Sequence, residues 1–204
     1  MADVLVICTG NICRSPMAEG FLRSAFEQRF GDEAPSVHSA GTQGWEGSPA
    51  QDGSIVAARE REVDIGAHVA RAVTRGMVEN ADLVLTMAGE HRDEVIRLVP
   101  HAAGRAFTLK ELVRLVQALA PPDDASDPSL VARVAQADAL RRGGFAGNPR
   151  DEDIADPLGQ PQDTYRAVAW ELDEWIRRLD AGLFGPLPAP ASIFGDEDRG
   201  WSPG

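Results

Sequence analysis

The chain has 204 residues, a net charge of -12 at pH 7 and charged side chains at 25% of positions. That length suits one domain with appendages and not two ordinary domains, and the ample aliphatic content excludes a disordered chain. The acidic balance excludes nucleic acid or an anionic membrane as the main partner, since both demand a broad basic face; any anion site has to be local.

In chain order, Val4-Leu5-Val6-Ile7 is a continuous apolar run, the pattern of a central strand buried on both faces. A glycine-bearing loop follows, and Ser15-Pro16 reads as the N-cap and first position of a helix whose apolar stripe is Met17, Phe21, Leu22 and Ala25. Ser36 to Ser39 reads as a short strand, Ala50 to Arg61 as a helix, Ala81 to Thr86 as a second buried strand and Glu90 to Val99 as a helix. Arg105 to Thr108 supplies a last strand, leading into a helix over Leu109 to Leu119. Strands alternating with helices predict a three-layer α/β/α domain around a four-stranded parallel sheet.

From Pro121 to Asp153 the composition turns polar, as expected of an insertion carrying one helix over Ser129 to Leu140. Tyr165, Val168, Ala169, Leu172, Ile176 and Leu179 then recur at three and four residues, the core-facing stripe of a final helix, with Tyr165 expected in core packing. The domain is expected over 1–182, and 183–204 is expected to be a mobile tail rich in proline and glycine. No apolar run is long enough for a membrane span or a secretory segment, so a cytoplasmic protein is expected.

Only two cysteines occur, Cys8 and Cys13, and both fall in one loop, which favours chemistry over disulfide stapling. In Cys8-Thr9-Gly10-Asn11-Ile12-Cys13-Arg14-Ser15 a cysteine ends a buried strand and an arginine stands six residues on, at a helix entrance. There successive backbone N–H groups can turn inward as an anion nest, with the helix N-terminus adding partial positive charge. The same field favours thiolate over thiol at Cys8, making it a nucleophile. Arg14 offers a planar fork for two phosphoryl oxygens, Gly10 permits close approach or positive φ, and the Ser15 hydroxyl can bond the sulfur. A free cysteine at a strand end is also a common packing residue, but Gly10, Arg14 and Ser15 in register argue for chemistry. No lysine follows the pattern of a nucleotide-binding loop, and no His/Cys/Asp spacing supplies a metal site.

Through Cys8 to Glu19 the chain resembles the low-molecular-weight protein tyrosine phosphatases. The resemblance continues in Ser39-Ala40-Gly41-Thr42, His68-Val69-Ala70-Arg71, Ala81 to Met87 and Asp156-Pro157, and it covers most of residues 3 to 180 apart from the insertion. It implies a cofactor-free phosphate-monoester hydrolase acting on phosphorylated protein or small aryl phosphates through a cysteinyl-phosphate. By that resemblance Cys8 is the nucleophile, Arg14 the phosphate clamp and Asp156 the general acid, with Thr9 to Cys13 and Ser15 around the phosphate. Asn11, Ser39 and His68 resemble the polar network that holds the loop, and Ile12 and Trp45 the walls for an aromatic ring. Cys13 is either a packing residue or, as the resemblance implies, a partner that traps oxidised Cys8 as a disulfide.

Of two Asp-Pro pairs, Asp127-Pro128 is explained as N-cap and first position of the insertion helix, which leaves Asp156-Pro157 as the acid's turn. Leu158 stands where many family members carry an aromatic residue. The clusters Asp151-Glu152-Asp153 and Asp196-Glu197-Asp198 read as solvated loop. Three rivals share the loop or its ligand: an arsenate reductase, which would need further cysteines; a phosphoarginine phosphatase, for which the resemblance suggests threonine at Ile12; and a catalytically weak phosphate-binding module.

Overall fold

The computed structural model describes residues 2–121, 129–145 and 152–187. Four strands, β1 Asp3–Cys8, β2 Ser36–Gly41, β3 Leu83–Thr86 and β4 Ala106–Thr108, form one sheet in the order β2-β1-β3-β4, parallel at every pairing. The register sets Val4 beside Val37 on one side and Leu83 on the other, and Cys8 beside Gly41. Cys8 thus lies at the carboxyl end of a central strand, where open α/β sheets collect their ligands.

Because side chains alternate across a strand, the continuous apolar runs feed two cores. Val4, Val6, Leu83, Leu85 and Phe107 face one layer, made by α1 Arg14–Phe30, α2 Asp52–Arg59, α5 Leu109–Ala118 and α7 Gln162–Phe184. Leu5, Ile7 and Val84 face the other, with Val78 of α3 Arg75–Asn80 and Val95 of α4 Gly89–Leu98. Each fully buried Leu, Ile or Val is worth about 1.5–3 kcal/mol of transfer free energy, so both faces of the sheet are strongly specified.

The predicted strands and helices all appear, and α3 is an addition. It is six residues long, too short for periodicity, and is started by the Thr74 side chain accepting from the Met77 N–H. The first helix begins at Arg14, with Cys13 in the cap position, so Ser15-Pro16 lies inside the helix and does not cap it. The insertion helix α6 Leu130–Arg142 is capped by Ser129, whose hydroxyl accepts from Ala132 N–H, and not by an Asp127-Pro128 pair, which lies outside the described residues. It packs Leu130, Val134 and Ala137 into the same core that α5 and α7 share. The final helix runs to Phe184, past Gly182, and stacks Phe184 edge-on against Phe26 and Phe30 of α1. Residues 188–204 of the expected tail, Asp151 and the Asp196 cluster lie outside the described residues. Among the described residues no helix is long and apolar enough to cross a membrane.

Candidate active site

The loop between β1 and α1 is held by its carbonyls. Cys8 O accepts from Thr42 N, Thr9 O from Gln43 N, Gly10 O from Trp45 N, Ile12 O from Gln51 N and Asn11 O from His68 Nε2, at 2.8–3.0 Å. In a trans peptide the N–H points opposite to the C=O, so carbonyls fastened outward leave the following N–H groups directed into the loop. Four of these five donors come from the 42–51 segment, and its close approach requires glycine just before it: a Cβ on Gly41 would lie 2.4 Å from Thr9 O and 2.9 Å from Asn11 N.

Asn11 is the keystone of the loop. It adopts φ of +57°, a left-handed conformation asparagine tolerates better than most residues. Its Nδ2 donates to Ser15 Oγ at 3.0 Å and to Ser39 Oγ at 2.7 Å, and its Oδ1 accepts from Arg71 N at 2.9 Å. Positive φ thus sits at Asn11, while Gly10 provides close approach: a Cβ there would lie 3.3 Å from Ile12 Cγ1 and 3.6 Å from Trp45 Nε1. Because Ser15 Oγ accepts from Asn11, its own proton is available to Cys8 Sγ, 3.0 Å away. This duty explains why Ser15 does not cap the helix. Ser39 passes its proton on to Glu19 Oε2 at 2.6 Å. The carbonyl of Asn11 can only accept, so His68 Nε2 carries the hydrogen and bonds the loop. The structure therefore brings Asn11, Ser39 and His68 together around the loop and adds Glu19 and Arg71, which the sequence reading did not assign.

Cys8 is 2% exposed and Arg14 is 5% exposed, at the two ends of the loop. Arg14 donates Nη1 to Ile154 O at 3.1 Å and Nη2 to Thr9 Oγ1 at 3.3 Å and to Asp156 Oδ2 at 2.5 Å. Its Nε is buried with no partner among the described residues. Asp156 comes from 142 residues downstream, yet it meets Arg14 directly. Its side chain is 45% exposed, and its Oδ1 accepts from Leu158 N at 3.1 Å, closing a tight turn after Pro157. Trp45 is 48% exposed beside Gly10, Leu158 is also exposed, and Ile12 is buried.

The comparisons with known proteins agree with this geometry. The family described as low molecular weight phosphotyrosine protein phosphatase matches residues 3–136. The chain belongs to that family. A probable low molecular weight protein-tyrosine-phosphatase, EpsP, of Ralstonia solanacearum is 35% identical over 150 residues, 72% of this chain and 94% of that protein. A protein-arginine-phosphatase of Geobacillus stearothermophilus is 31% identical over 176 residues, 86% of this chain and 92% of that protein. A crystal structure of a YwlE mutant from Bacillus subtilis superimposes with a TM-score of 0.67 at 28% identity, covering 90% of this chain and 99% of that one. The four-stranded parallel sheet is the fold of this family, and the protein is a hydrolase of the phosphatase class.

Two further residues beside the loop have contacts that the sequence reading did not assign. His91 of α4 is 1% exposed, with Nε2 2.9 Å from Thr9 Oγ1 and Nδ1 buried without a partner among the described residues. Burial first, then the Arg14 charge, pushes its imidazole down to about 4, so it is neutral at physiological pH. The available signal was its position just beyond β3, at the same carboxyl edge of the sheet as Cys8. Tyr165 is buried as expected, but its hydroxyl neighbours Cys13 and Gly159, and burial followed by the nearby Cys13 pushes the phenol up. Cys13 itself is buried and its thiol is pushed up to about 11, chiefly by desolvation, so it is protonated near neutral pH. Both cysteines are free thiols.

Proposed function

We propose that the protein hydrolyses phosphate monoesters in two steps, with Cys8 as nucleophile, Arg14 as clamp and Asp156 as general acid and then base. The unpartnered Nε of Arg14 carries the reading: a buried donor without an acceptor costs about 1–3 kcal/mol, and a phosphoryl group in the loop removes that cost. The inward amides supply the remaining donors, and the Ser15 proton stabilises sulfur first as thiolate and later as leaving group. Substrate phosphate takes over the Arg14 fork from Asp156, whose released carboxylate takes up a proton from water and gives it to the leaving oxygen. In the second step the same carboxylate activates water and phosphate leaves.

The substrate class we infer is phosphorylated protein, with tyrosine ahead of arginine. Trp45 stands exposed at the mouth, where an aromatic face can stack on a phenyl ring, and Ile12 offers no hydroxyl to a guanidinium. Location in the cytoplasm, where thiols are kept reduced, suits a cysteine nucleophile.

Steady-state turnover of a phosphotyrosine and a phosphoarginine peptide tests this reading. Wild type should prefer phosphotyrosine in kcat/KM, and Cys8→Ser should lose about 10⁴-fold or more while still binding oxyanions. A wild type that binds phosphate without turnover would instead make it a binding module.

A further inference from the structure

Resting on the reading of Asp156 as the acid, we propose that Glu152 is its positioning residue, held in an ion chain that runs back to the insertion helix. The sequence reading treated Asp151-Glu152-Asp153 as solvated loop; the structure leaves Asp153 exposed in a loop but overturns that reading for Glu152. Glu152 turns inward: its Oε1 is 3.3 Å from Arg114 Nη2 and its Oε2 3.4 Å from Arg92 Nη1, with only 12% of the side chain exposed. Asp153 Oδ1 accepts the N–H of Gly89, the first residue of α4, at 2.8 Å. Ile154 N donates to Met87 O at 2.8 Å, and Ile154 O accepts from Arg14. Three successive residues are therefore tied to α4, α5 and the residue that follows β3, and one residue, Ala155, separates the last tie from Asp156.

This fastening matters because Asp156 has little else. Besides its own turn, its partner among the described residues is Arg14, and that contact is exchanged when phosphate takes the guanidinium. During the reaction the acid's place is then set by the ties upstream. Asp153 is solvent-exposed, so water competes for its bond to Gly89 N–H, whereas Glu152 is mostly shielded and bound by two guanidinium groups. Arg92 is in turn 3.0 Å from Glu111 of α5, which pairs with Arg141 of α6 at 3.5 Å. The insertion helix thereby braces the far end of the chain that fixes the acid.

The test is kcat/KM for p-nitrophenyl phosphate and phenyl phosphate, since only the poorer leaving group needs a well-placed proton donor. Glu152→Gln should lose about 10-fold on phenyl phosphate and less than about 3-fold on p-nitrophenyl phosphate, with the inhibition constant of inorganic phosphate unchanged, because the cradle is untouched. Glu152→Asp, which keeps the charge, should recover part of the loss. Equal losses on both esters, or none on either, would overturn the proposal. Should Glu152→Gln not fold, Arg114→Gln removes one arm and carries the same expectation. Asp156→Ala measured alongside separates the two readings: if it shows no extra loss on phenyl phosphate, the assignment of the acid fails; if it does and Glu152→Gln does not, only the positioning role fails.

Discussion

The loop of residues 8–15 and the segment 152–158 meet at Arg14, but they are built in opposite ways. The first is buried, continuous in sequence, and fixed by backbone carbonyls and the amide of Asn11. The second arrives from across the molecule and is fixed mainly by charged side chains, with nearly half of the Asp156 side chain open to water. The difference matches their work. A cradle for developing charge gains from rigid dipoles that do not reorganise, while an acid that must swing from clamp to substrate needs an anchored base and a free end.

The contrast is broken most severely at the residue both halves share. Arg14→Lys keeps the charge but loses the fork that reaches Thr9, Ile154 and Asp156 together, and kcat/KM for p-nitrophenyl phosphate should fall about 10³-fold. A loss under about tenfold would mean that charge alone suffices and that the two halves are not joined through this geometry.

Within the cradle, Asn11→Ala removes three hydrogen bonds and places alanine at φ of +57°. Thermal or denaturant unfolding should show a loss of about 2–4 kcal/mol, with inhibition by inorganic phosphate weakened in parallel. Unaltered phosphate inhibition in a destabilised variant would separate the loop's shape from this side chain.

Much of the cradle was legible in the sequence because its parts are contiguous. A buried β-branched run, a glycine, and an arginine at a helix start specify strand, loop and helix with no distant partner. What misled was local grammar with two uses: Ser15-Pro16 looks like a cap and first position, but the hydroxyl serves sulfur one turn inside the helix. The acid segment was legible only at Asp156-Pro157. Glu152 read as solvated because its partners, Arg92 and Arg114, lie 60 and 38 residues away and no spacing rule links them. His91 gave no motif, since a lone histidine acquires meaning only when the sheet brings its helix beside Thr9.

That histidine gives the smallest effect. Its folded value of about 4 lies below the ordinary 6.5, so between those values the unfolded chain binds a proton that the folded one refuses. Stability therefore rises with pH across that window, and acidification from pH 6.5 to 4 should cost up to about 3 kcal/mol through this group. Denaturant unfolding of wild type and His91→Gln should show the wild type losing ground to the variant as pH falls. A constant gap across the window would mean that the imidazole is not held neutral by burial.

The most direct measurement quenches Asp156→Ala in acid during turnover of p-nitrophenyl phosphate and maps the phosphate by mass spectrometry. The activated leaving group lets the first step proceed, and the missing base slows the second, so phosphate should be found on the Cys8 sulfur. Continued turnover with residue 8 unmodified throughout would contradict the account.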